Sequence, residues 1–133
     1  MNGLGEISVR GVQKIYDPLG SPIHALEACS CDIPAGKFVA MVGPSGCGKS
    51  TLLNMIAGFD MPTSGTISLD GELLVDQQTR SRPGSDRVVV FQNGALFPWK
   101  TVVENIAYGP IVQGRLNRAE AEEKALDLLE ETA

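Results

Sequence analysis

The chain has 133 residues, with 11 Lys plus Arg against 16 Asp plus Glu, a formal net charge of −5. Hydrophobic residues make up 43% and charged residues 20%, a balance that supports a packed core and excludes a disordered chain. The acidic excess argues against the broad basic face that nucleic acid requires, and no apolar run approaches the ~20 residues that cross a bilayer.

The start, Met1 to Glu6, lacks the basic and apolar stretches of a secretory signal, so the chain is expected to be soluble and to stay in the cytoplasm. Glu6 to Val12 alternates, with Ile7 and Val9 on one face, and predicts a half-buried strand. Asp17 to Pro22 is a turn-rich break before a second strand around Ala25 to Ile33. That strand carries Cys29 and Cys31 on one face. No second Cys or His pair completes a zinc site, so the two cysteines read as small buried hydrophobes. His24 is the only histidine, without a cysteine or carboxylate cluster beside it, and reads as structural.

Pro34-Ala35-Gly36 turns the chain into Lys37 to Val42, which predicts a short, fully buried strand of a mostly parallel sheet. Gly43 to Gly48 is a glycine-rich loop, and Ser50 to Ala57 predicts a helix that Gly58 stops. Met61 to Gly65 turns into a strand at Thr66 to Leu69, followed by an Asp70-Gly71 hairpin signal. Gln77 to Asp86 reads as a loop, and Arg87 to Phe91 as another buried strand ending at Gln92. Leu96-Phe97-Pro98-Trp99 is an apolar knot in a loop, and Thr101 to Ala107 predicts a short helix. Asn117 to Thr132 predicts a longer one, with Asn117 as N-cap and Glu120 completing a capping box.

The chemistry centres on Gly43-Pro44-Ser45-Gly46-Cys47-Gly48-Lys49-Ser50-Thr51, which fits G-x-x-x-x-G-K-[ST]. Glycines let the backbone fold into a nest whose N–H groups converge on phosphate oxygens, and the following helix adds its positive end. Lys49 supplies an ammonium for the β- and γ-phosphates of ATP, and the Ser50 hydroxyl a ligand for Mg2+. Gln92, after an apolar run, reads either as a residue reaching the magnesium and γ-phosphate or as a solvated strand end. Tyr16 follows the first strand, and its ring can stack on adenine for about 0.5–1.5 kcal/mol beyond area burial. The residue pattern alone favours a core or strand-edge tyrosine there. Stacking needs only the ring, so on this reading phenylalanine would serve as well.

The order Tyr16, Gly43 to Thr51, Pro62-Thr63-Ser64-Gly65, then Val90-Phe91-Gln92 resembles the ATP-binding subunit of ABC transporters over nearly the whole chain. Leu96 to Val102, with Asn105 and Gly109, is most similar to the nitrate, sulfonate and taurine importer branch. The resemblance implies an α/β fold: a P-loop NTPase core with an antiparallel β subdomain and the start of a helical subdomain. It implies a nucleotide-binding part over 1–92 and a helical part over 93–133. Tyr16 then matches the aromatic A-loop, and Gln92 the Q-loop glutamine that touches magnesium and the transmembrane partner. Lys49 and Gln92 become the catalytic positions, with Ser50 and Gln92 at the metal.

The same resemblance implies a transmembrane permease subunit, a second ATPase subunit in a head-to-tail dimer, and, indirectly, a periplasmic or extracellular substrate-binding protein. It places the protein peripherally on the cytoplasmic face of the membrane, powering uptake of a small anion such as nitrate, a sulfonate or taurine. Neither a Leu-Ser-Gly-Gly-Gln signature nor an apolar run ending in Asp-Glu occurs. The chain is therefore expected to be the truncated front part of a longer ATPase, binding nucleotide without turning it over. A different P-loop enzyme such as a small kinase would carry an acceptor or lid segment after the first helix. A soluble ABC-type ATPase would carry a heptad run, and none is visible.

Overall fold

In the computed structural model, which describes residues 4–80, 83–84 and 86–132, Val9 and Val12 are both fully buried although three positions apart. That spacing puts two side chains on opposite faces of a regular strand. The strand that carries them, β1 (Ile7–Tyr16), reconciles the two with a bulge at Gly11, whose φ of 55° favours glycine. Val9 pairs with Cys31 and Val12 with Cys29 of β2 (Ile23–Ile33), so three residues of one strand span two of the other. The Gly11 N–H, displaced from the ladder, donates to Ser30 Oγ at 2.8 Å. Cys29 and Cys31 are half-buried against the core, in keeping with their reading as small hydrophobes.

The chain packs as two units, Met1–Val89 and Val90–Ala133. In the first, β1 and β2 are joined by β3 (Ser64–Leu69) and β4 (Glu72–Val75) in one antiparallel sheet, ordered β2-β1-β3-β4. Asp70, at φ 52°, and Gly71, at φ 83°, make the left-handed turn of the β3–β4 hairpin that the sequence predicts. Helix α1 (Lys49–Ala57) buries Leu52, Met55 and Ile56 with Val9, Val12, Leu26, Ile67 and Val75. The i, i+3, i+4 spacing of its three apolar residues makes the helix a lid on this sheet. Gly58 ends it in the left-handed conformation, its N–H donating to the Asn54 and Met55 carbonyls.

Two expectations need correction. Lys37 to Val42 and Arg87 to Phe91 form no strand, and neither is buried throughout: Phe38 is 97% exposed, Val42 92% and Val90 91%. A strand is defined by its pairing, and among the described residues no ladder takes up either run. Their apolar composition marks them for burial without supplying the neighbour that would bury them. The polar loop expected at Gln77 to Asp86 lies partly outside the described residues, at 81, 82 and 85.

The second unit is a pair of helices, α2 (Val102–Val112) and α3 (Arg118–Thr132), closed on Ala107, Ala121 and Ala125. Both carry the capping box at the N-terminus. The Thr101 hydroxyl accepts from Glu104 N–H while the Glu104 carboxylate accepts from Thr101 N–H, and Asn117 with Glu120 repeats the exchange. Helix α2 runs past the Ala107 expected as its end and takes Pro110 into its last turn, giving up one i→i−4 hydrogen bond there. Leu126 and Leu128 of α3 remain about half exposed.

Candidate functional site

Helix α1 begins unlike the other two. Its N-cap is Gly48, with no side-chain cap, and its first turn has no acid. Instead that turn opens with Lys49, a cation at the positive end of the helix dipole. The N–H groups of Gly46, Gly48, Lys49 and Ser50 find no acceptor among the described residues. An uncapped, cation-bearing helix start with unpaired donors suits an external anion. Gly48 is required where it stands: it is buried at φ 93°, and a Cβ there would lie 2.5 Å from the Ala25 carbonyl oxygen.

The Lys49 ammonium folds back over the loop, donating to the Gly43 carbonyl at 2.7 Å, the Pro44 carbonyl at 2.6 Å and Cys47 Sγ at 3.4 Å. It thereby holds the loop closed around its own charge. The exposed Ser50 hydroxyl makes no hydrogen bond among the described residues, which leaves it open to a hard cation. Among those residues no three His, Cys, Asp or Glu side chains gather to hold a metal by themselves. A magnesium ion, which keeps waters and phosphate oxygens as most of its ligands, fits such a donor set.

A cleft of about 440 Å³ opens beside the loop, lined by Tyr16, Ile23 to Ala25 of β2, and Ser45, Gly46 and Gly48 to Thr51. The structure thus brings Tyr16 together with the loop that follows more than twenty-five residues later. Tyr16 is 43% exposed at the end of β1, an inner strand of the sheet, where it pairs with Ile23. His24, read from sequence as structural, is exposed and lines the cleft. The signal for it was available: an antiparallel return through Asp17 to Pro22 sets Ile23 opposite Tyr16 and His24 opposite Ile15.

Two further residues hold Tyr16 and were missed. Its hydroxyl donates to Asp60 Oδ2 at 2.8 Å, and Lys14 Nζ lies 4.8 Å from the ring centroid while paired to Asp60 Oδ1 at 2.6 Å. Burial pushes the Asp60 carboxyl up, but hydrogen bonds from Lys14, Tyr16 and the Met61 N–H, with the Lys14 charge, bring it below its usual value. Gln92 belongs to the second unit, where it lies exposed in a bend after the Arg87 to Phe91 run.

Loop and helix together are those of the P-loop nucleotide-binding class. Residues 26–133 match the ABC transporter family, and the chain belongs to that family. It is 48% identical over 110 residues to the taurine import ATP-binding protein TauB of Rhizobium johnstonii, covering 83% of this chain and 39% of that protein. It is 39% identical over 120 residues to the bicarbonate transport ATP-binding protein CmpD of Synechocystis sp., covering 90% of this chain and 40% of that one. Among solved structures it resembles the dimeric ATP-binding cassette MJ0796 in a post-hydrolysis state bound to ADP and Pi. The TM-score there is 0.71 at 28% identity, over 93% of this chain and 56% of the other. The chain spans about two fifths of the length of these curated relatives.

Proposed function

We propose that this chain carries the nucleotide-holding part of an ABC importer's ATP-binding subunit, with ATP bound across the cleft between Tyr16 and the Gly43 to Thr51 loop. One observation carries the reading: an aromatic ring and an uncapped, lysine-led helix start line the same cleft. In this reading the backbone N–H groups from Ser45 to Thr51 and the Lys49 ammonium hold the phosphates, with Gly43 and Pro44 shaping the loop and Tyr16 stacking on the base. Ser50 holds Mg2+ by its hydroxyl. The ion, when bound, neutralises charge that accumulates on the phosphates.

Residues 1–92 then serve nucleotide binding, and 93–133 begin the helical part that meets a transmembrane permease. No helix among the described residues is long and apolar enough to cross a membrane, which suits a peripheral subunit on the cytoplasmic face. A second ATPase subunit, docked head to tail, completes each site, and a substrate-binding protein outside the membrane delivers a small anion. The names of the relatives, a taurine import and a bicarbonate transport ATP-binding protein, support a small cargo that bears an anionic group.

Equilibrium titration with labelled ATP tests the reading. Lys49→Ala should weaken binding by about one to two orders of magnitude, the loss of a charged hydrogen bond. Equal affinity in the variant would remove the phosphate-loop assignment.

A further inference from the structure

The end of β1 carries a polar arrangement that base stacking by itself does not require. Helix α1 stops at Gly58, and the turn that follows is laid along β1 by hydrogen bonds between Thr63 and Gln13 and between Thr63 and Ile15. That turn delivers Asp60 to the Tyr16 hydroxyl, more than forty residues away in sequence. Asp60 is itself fixed. Its Oδ1 takes the Lys14 ammonium at 2.6 Å and the Met61 N–H at 2.8 Å, and Lys14 also donates to the Met61 carbonyl at 2.7 Å. The Lys14 and Asp60 side chains are only 12% and 26% exposed, so solvent does not loosen the pair as it does an ordinary surface bridge.

We propose that Asp60, braced by Lys14, is a positioning residue for base binding: it holds the Tyr16 ring by its hydroxyl as the wall on which a nucleotide base stacks. The proposal rests on the reading of the cleft given above and adds what the ring needs to act there. A half-exposed tyrosine turns about two side-chain bonds, and a base that must first order it loses part of the stacking gain. Here both bonds are set before the base arrives. The Lys14 ammonium covers one ring face, which leaves the other for the base. The arrangement also separates tyrosine from phenylalanine. A ring that only stacks works equally well without its hydroxyl, whereas a ring held by its hydroxyl does not.

The test compares ATP with inorganic tripolyphosphate, which fills the loop but has no base, on the 133-residue chain and on Asp60→Asn, Tyr16→Phe, their double variant and Tyr16→Ala. Tyr16→Ala should lose about tenfold in ATP affinity and nothing for tripolyphosphate. Failure of that arm removes the stacking reading and the proposal with it. Asp60→Asn and Tyr16→Phe should each weaken ATP by about three- to tenfold, with the double variant no weaker than Asp60→Asn, which already loosens the Tyr16 contact along with the Lys14 pair. Tripolyphosphate affinity should stay constant throughout, which also shows that each variant is folded. Unchanged ATP affinity in Tyr16→Phe and Asp60→Asn overturns the proposal while leaving stacking intact. Equal losses for ATP and tripolyphosphate overturn it too, because the effect would then lie in the loop.

Discussion

Tyr16 and Asp60 perturb one another in opposite directions. The hydrogen bond to Asp60 raises the phenol's pKa, and burial and the Asp60 charge raise it further. A raised pKa means that the neutral phenol is the stabilising form. Its contribution is fully present below the unfolded value of about 10 and is lost as pH rises through the higher folded value. Asp60 runs the other way. Its lowered pKa gives stability that is present above about 3.9 and is lost as pH falls through the folded value. In a Tyr108→Phe background, ultraviolet titration should therefore place the remaining phenolate transition above about 10, and Asp60→Asn should bring it back down. A transition that Asp60→Asn leaves in place would show that the contact does not persist in solution.

At the scale of elements, the three helices show how differently a helix start can be used. Helices α2 and α3 satisfy their own first turns with Glu104 and Glu120, whereas α1 keeps its donors unpaired. Asn117→Ala should cost about 1 kcal/mol in α3, roughly a fivefold drop in amide protection across Glu122 to Leu129. Hydrogen exchange resolved by residue checks this, and unaltered protection would mean that packing on Ala107 alone holds the helix. These caps were legible in the sequence because a capping box is local, residues three apart in one turn. So were α1, its glycine stop and the β3–β4 hairpin. The Gly11 bulge was not, because it answers to a partner strand, and the period of β1 looks unbroken until Val12 has to be placed. Asp60 was missed for a related reason. Its meaning depends on a turn being laid against β1, a long-range contact with no sequence period. For Lys37 to Val42 and Arg87 to Phe91, apolar composition predicted burial, but burial also depends on what lies alongside.

For the whole molecule, those two runs govern behaviour in solution. Phe38, Val42, Val88 and Val90 are each more than 80% exposed, and among the described residues no strand pairs with them. Such segments pair with other chains. The 133-residue chain should self-associate with rising concentration in sedimentation experiments, and Phe38→Ser with Val90→Ser should reduce it. A monomer at all concentrations would show that the runs find cover within the chain. Membership of the ABC transporter family rests on residues 26–133, but the claim that this chain itself holds nucleotide rests on the cleft. Heteronuclear NMR during titration with ATP and Mg2+ tests that claim most directly. Saturable shifts are expected at Tyr16, at Ile23 to Ala25 and through Gly43 to Thr51, all with one affinity. Shifts confined to other surfaces, or none at Tyr16 and Lys49 under saturating ATP, would contradict it.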